Sequence, residues 1–205
     1  AIDSGLRSFI IALSLVLLYM MFYYSFAGLV SNIALLANLF FVFGVLSSLG
    51  AVLTLPGIAG IVLTIGMSVD ANVLIYERIR EELLNGKGIK LAVSDGYKNA
   101  YSSIIDANVT TLLTGIILYT FGSGPIKGFA TTLVIGILTS LFSAIFITRL
   151  IFHWRLHKKG VASFDNSITK GAFKNTAINF LRKRKLFYGV SSLIILILSL
   201  IHISE

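Results

Sequence analysis

Two copies of the tetrapeptide Asp-Ala-Asn-Val, at residues 70–73 and 106–109, hold the side chains with the most chemical promise. The first lies in GIAGIVLTIGMSVDANVLIYERIREEL, where Asp70 arrives before the apolar run has ended. If the hydrocarbon edge falls near Tyr76 and Glu77, Asp70 is roughly 9 to 10 Å inside it at about 1.5 Å of rise per residue. Its short side chain does not reach water from there. An ionised carboxylate at such a depth costs on the order of 2.5 to 3.5 kcal/mol. Desolvation favours the neutral acid, so a group placed this way can hold a proton and release it when its surroundings change; a lone buried carboxylate suits sodium equally. The plainer alternative is a carboxylate paired permanently with a cation or amide of another span. Apart from Arg7 and Lys127, the first residues of their spans, the other spans hold only Arg149, close to a span end, so a cationic partner for Asp70 would come from outside this chain.

Helix geometry sorts the neighbours. Steps of three and four from Asp70 lead to Gly66, Met67, Val73, Leu74 and Glu77, whereas Asn72 lies on roughly the opposite side of the wheel. Asn72 is therefore expected to bond a neighbouring helix. Asp106 is expected in the first turn of its own span, where the helix dipole favours a carboxylate, and capping explains it as well as proton transfer does. Asn108, Thr110 and Thr111 add polar groups expected to bond between helices. Small residues recur at steps of four, in Gly60, Thr64, Ser68 and Asn72 and again in Thr132, Gly136, Ser140 and Ala144. Such stripes let helix backbones approach closely in lipid; they are read as packing faces, with sliding along them as the functional alternative.

The elements that must hold these side chains follow from composition. Of 205 residues, 56% are hydrophobic and the mean hydropathy is +0.90, more than a soluble surface carries. A span needs about 20 apolar residues. Candidate spans fall at about 7–26, 28–50, 54–76, 104–121, 127–151 and 186–203. The fold class expected is all-α, a polytopic transmembrane helix bundle of about six spans. Thr54 with Pro56, and Gly122, Gly124 and Pro125, mark the turns before the third span and between the fourth and fifth. Between the third and fourth spans, about 87–101, apolar residues at steps of three and four predict an amphipathic helix lying on the cytoplasmic surface and running into the fourth span. Tyr19, Tyr23, Tyr24 and Trp154 fit interfacial anchors.

The formal charge of +8 raises nucleic acid as a partner, and the placement of the charge argues against it. Of 17 Lys and Arg, nine fall in residues 153–185 and five in 77–103. That asymmetry marks cytoplasmic loops. The Arg-Lys-Arg-Lys run at 182–185 is read as an anchor attracted to anionic membrane lipid. The chain has no cysteine, which excludes thiol chemistry and disulfides. His153 and His157 stand four apart with no acidic partner nearby, so no metal site is expected. The Gly-Ser-Gly-Pro-Ile-Lys-Gly turn lacks a phosphate-loop context. Neither an enzyme nor a cofactor is expected.

The third-span motif, the Asp-Ala-Asn-Val-Thr-Thr at 106–111 and the FGSGPIKGFATTLVIGILTS at 121–140 together resemble the SecD membrane region of the bacterial SecDF protein-export family. The resemblance covers residues 7 to about 152, and NFLRKRKLFYGVSSLIILILSLI resembles the start of the SecF half. It implies residues 1–152 as a SecD-like membrane half, 153–185 as a basic cytoplasmic linker and 186–205 as a first, truncated SecF-like span. The family belongs to the resistance-nodulation-division superfamily, whose members use two related membrane halves. By the resemblance, the protein is a multi-pass component of the bacterial inner membrane that draws on the proton gradient to help the Sec translocon channel complete export of unfolded preproteins. Asp70 then matches the family's proton-relay aspartate, and Asp106 with Thr110 and Thr111 a second motif. The expected remaining partners are the rest of the SecF half and periplasmic domains outside this chain. The alternatives are a small-molecule or lipid exporter of the same superfamily, and a passive translocon scaffold.

Overall fold

Helix starts and stops written in the sequence set the architecture. Thr54 caps the third helix by accepting the Gly57 N–H at 3.2 Å, with Pro56 in the first turn. Gly160, in the left-handed region at φ 69°, ends the fifth. The computed structural model describes residues 2–166 and 181–203, and the described elements are all helices. They are α1 (Ile2–Tyr24), α2 (Phe26–Ser48), α3 (Leu55–Leu84), α4 (Ile89–Phe121), α5 (Pro125–Lys159) and α6 (Arg184–Ile203). Within α5, a π-helical turn, Phe142–Ile147, interrupts the α-helical ladder. Helices α1 to α5 are long and apolar enough to cross a membrane.

The chain divides into two units, Ala1–Lys170 and Gly171–Glu205. The second contains α6, an apolar 20-residue helix. Residues 167–180 of the expected linker, and residues 204–205 of the expected last span, lie outside the described residues.

In the first unit the two small-residue stripes meet. Gly60 of α3 lies against Thr132 and the Phe129 carbonyl of α5, and Gly136 of α5 lies against Thr64 of α3. The helices run parallel in this register, and Gly60, Thr64, Ser68, Thr132, Gly136 and Ser140 are all buried in the seam. Leu35, Val42 and Leu46 of α2 close it from one side against Ile61 and Ile65.

At the end where α3 leaves and α4 enters, the core is aromatic. Phe152 stacks on Phe164 with centroids 5.0 Å apart, and Tyr76 meets both rings edge-on at 5.8 Å. Phe164 belongs to the segment 160–166, which folds back over the α1–α2 turn. There the Ala27 N–H donates to the Ser163 carbonyl at 3.1 Å. The adjoining α3–α4 turn is held by Lys87, paired with Asp95 at 2.6 Å and Glu82 at 2.7 Å. These two hydrogen-bonded carboxylates, Asp95 foremost, hold the Lys87 ammonium above its ordinary range.

The segment expected as a surface helix over about 87–101 is the first half of the continuous α4. Its apolar stripe, Ala92, Val93, Tyr97, Ala100 and Ile104, packs in the same cluster as Ile75 and Ile79 of α3 and Phe152 of α5. Protein therefore covers the stripe that the spacing alone assigned to a membrane surface. Gly96 makes this possible, because a Cβ there would collide with Ile79.

Candidate functional site

Asp70 lies midway along the 30 residues of α3, about 22 Å from either helix end at 1.5 Å per residue. Its side chain points out of the bundle and is exposed on the surface of this chain. Together with Met67, Ala71 and Leu74 of α3 and Ile104, Ala107 and Asn108 of α4, it lines a small cavity of about 50 Å³. Among the described residues, no hydrogen bond or ion pair engages the Asp70 carboxylate. The next acid along α3, Glu77, is committed: it accepts from Tyr24 Oη at 2.9 Å and from Arg80 at 2.8 Å.

The exposed surface around Asp70 mixes apolar side chains such as Leu63, Val109 and Leu113 with small and polar ones. Gly66, Asp106, Ala107, Thr110 and Thr114 are exposed with it, and a Cβ added at Gly66 would meet nothing within 4 Å. Small and polar side chains at mid-bundle depth form a face on which another helix can approach closely.

Asp106 does not cap a helix. Helix α4 begins at Ile89, which places Asp106 in its interior, where its carbonyl accepts from Thr110 Oγ1 at 3.0 Å. Thr111 Oγ1 donates to the Ala107 carbonyl at 3.1 Å, and Asn108 Nδ2 donates to the Ile104 carbonyl at 2.8 Å. The bonds expected between helices for these three are thus made within α4. A hydroxyl or amide one turn from a backbone carbonyl reaches it without needing a partner helix.

Asn72 points the other way, into the seam, fully buried. It joins Asn38 of α2, Ser68 of α3 and Ser143 of α5, whose buried hydroxyl and amide atoms, like both amide atoms of Asn72, have no hydrogen-bond partner in this structure. The register set by Gly136 on Thr64, and by the Phe41–Phe142 ring pair at 5.8 Å, runs these side chains along one three-helix seam beside the π-helical turn. The stripe at steps of four places Asn72 on this side of α3, and Asn38 and Ser143 meet it there without belonging to a stripe. Asn38 is a single polar residue in an apolar run, which is the signal that points to it, whereas Ser143 follows Thr139 and Ser140 and carries no such mark. The structure thus sorts the expected residues into two groups. The outward-facing Asp70 shares a small cavity with the buried Asn108, while Asn72, Ser68, Thr64, Gly60, Gly136 and Ser140 line the internal seam. Tyr97 Oη and Thr148 Oγ1, 2.6 Å apart and buried, form a further link between α4 and α5 that spacing did not reveal.

Residues 1–158 match the family described as "Protein export membrane protein SecD/SecF, C-terminal". The chain is 58% identical over 154 residues to the protein translocase subunit SecD of Rhodothermus marinus, covering 75% of this chain and 25% of that protein. It is 51% identical over 151 residues to the Haemophilus influenzae SecD, covering 73% and 24%. The crystal structure of SecDF, a translocon-associated membrane protein from Thermus thermophilus, superposes with a TM-score of 0.82 at 35% identity, covering 94% of this chain and 26% of that one. SecDF in a super-membrane-facing form superposes with a TM-score of 0.74 at 39% identity, covering 79% and 22%. The chain spans about a quarter of the length of these relatives.

Proposed function

Starting from a chain that belongs to the SecD/SecF protein-export membrane family, we propose that it is the SecD-type membrane half of a proton-driven auxiliary of the Sec translocon, with Asp70 as the proton-carrying group. The observation that carries this reading is the pairing of depth with surroundings: a carboxyl halfway along α3, on an outward face that includes small and polar residues, with no cation of the described chain against it. Left ionised in lipid, such a group costs on the order of 2.5 to 3.5 kcal/mol. A second membrane half seated on the Asp70 face supplies the missing polar environment, and the state of the carboxyl then biases how the two halves pack. Protonation removes a charge from the interface and favours the tighter packing; release of the proton favours an arrangement that hydrates or pairs the carboxylate. The rigid α3–α5 seam transmits the shift, because Gly60 and Gly136 leave the two helices no slack to deform separately.

In this reading residues 1–152 are the SecD-like half, 153–185 the linker and 186–205 the beginning of the SecF-like half. The protein is a non-enzymatic component of the bacterial inner membrane acting on unfolded preproteins at the translocon channel. The test uses the full-length protein in inverted membrane vesicles. Asp70→Asn is expected to abolish the gradient-stimulated part of preprotein translocation while leaving translocation without a gradient unchanged. Equal stimulation in the variant and the parent overturns the assignment.

A further inference from the structure

Four basic side chains converge between α4 and α5 at the end of the bundle where α4 begins. Lys90 and Ser94 of α4 and Arg149, His153 and His157 of α5 line a cavity of about 210 Å³, with Val93 and Leu156 as its apolar wall. No acid lines it. The ion pairs among the described residues at this end draw Glu77, Glu81, Glu82 and Asp95 to Arg80, Arg78 and Lys87, so none of the four acids neutralises the cavity. Like charges gathered without a counter-ion repel, and an anion seated among them converts that repulsion into attraction. The cavity also adjoins the N-terminal turns of α4, where Gly88 makes no side-chain cap, so the positive end of the helix dipole adds to the field.

The chemistry of the donors specifies the anion. Arg149 offers a planar fork suited to two phosphate oxygens, Lys90 a mobile point charge, and Ser94 and the two imidazoles further donors. Two histidines four apart on a helix can also grip a metal ion, but a cation would enter against Lys90 and Arg149, which face the same space.

The surroundings specify what carries the phosphate. Trp154, next to the cavity in sequence, is 60% exposed and lies under the Lys158 ammonium at 5.2 Å, an arrangement suited to the headgroup level of a bilayer. From the cavity toward the middle of the bundle, α5 presents a line of exposed apolar side chains, Leu150, Phe146 and Phe142. A phosphate held by Arg149 and Lys90 would leave its acyl chains along that line. We propose that this cavity is a binding site for the phosphate headgroup of an anionic phospholipid. The proposal is independent of the proton-relay reading, since it involves neither Asp70 nor the face around it.

The experiment uses the full-length protein in neutral detergent micelles, with phosphatidylglycerol titrated in and thermal unfolding followed. The parent is expected to gain thermal stability in a saturable way. Lys90→Gln combined with Arg149→Gln is expected to weaken the apparent affinity about tenfold or more, as befits loss of two charge-assisted contacts. Lys158→Gln combined with Lys159→Gln removes the same charge outside the cavity and is expected to leave affinity within about twofold. Arg149→Lys keeps the charge and the fold but loses the fork, and an intermediate affinity is expected. Equal weakening by both double variants, or no weakening by Arg149→Lys, overturns the site in favour of diffuse attraction. Inorganic phosphate alone, reproducing the full stabilisation in a manner dependent on Lys90 and Arg149, overturns the lipid and leaves a free-phosphate site.

Discussion

A methyl group added at Gly136 would stand 2.5 Å from Thr64 Oγ1, 2.6 Å from Thr64 Cγ2 and 2.7 Å from Thr64 Cβ. Rotation of the threonine side chain can clear only one of the first two atoms, and the Cβ is fixed to the α3 backbone. Carbon pairs rest at roughly 3.5 to 4.0 Å, so in Gly136→Ala the two helices must part by roughly 1 Å, opening the seam that also holds Ser68, Asn72 and Ser140. Overpacking of this kind costs about 1 to 3 kcal/mol. The assay is reversible unfolding of the full-length protein in mixed micelles by titration with a denaturing detergent. Gly136→Ala is expected to be less stable than the parent by that amount. Adding Thr64→Gly removes the fixed Cβ and is expected to recover at least about 1 kcal/mol relative to the sum of the single changes, a coupling that neighbours show and distant sites do not. Strict additivity, or a Gly136→Ala variant as stable as the parent, would refute a contact between α3 and α5 at this level, and with it the idea that the seam passes movement from the Asp70 face.

Two other substitutions probe the same unit. Asn72→Leu replaces a buried amide without hydrogen-bond partners by an apolar side chain of similar size; unfolding stability is expected to stay level or rise by about 1 kcal/mol, and a loss above about 2 kcal/mol would mean that the amide is bonded after all. Phe164→Ala removes a ring that is 2% exposed and stacked on Phe152. The cost is expected to approach the 3 to 5 kcal/mol of a core Phe truncation, and trypsin is expected to cut faster after Lys158 and Lys159; unchanged cleavage would show that the ring does not hold the segment 160–166 in place.

What the sequence made legible was what is local. Asp70 announces itself as one charge in an apolar run, and the stripes at steps of four announce themselves by period, so both could be read without coordinates. The run of the amphipathic stretch into the fourth span was legible too, because no Gly or Pro breaks the helix near residue 101. Whether the stripe of α4 meets lipid or protein depends on where the ends of α3 and α5 run, which periodicity within one segment cannot state. The return of Phe164 into the aromatic cluster, and the meeting of Asn38, Asn72 and Ser143 along one seam, depend likewise on the register between helices. The π-helical turn has no marker of composition in FSAIFI.

Proton movement through the full-length protein tests the central claim most directly. Reconstituted into liposomes carrying an internal pH-sensitive dye, the parent is expected to pass protons down an imposed gradient, Asp70→Asn to be silent, and Asp106→Asn to retain at least part of the flux. Proton flux in Asp70→Asn equal to that of the parent would contradict the account.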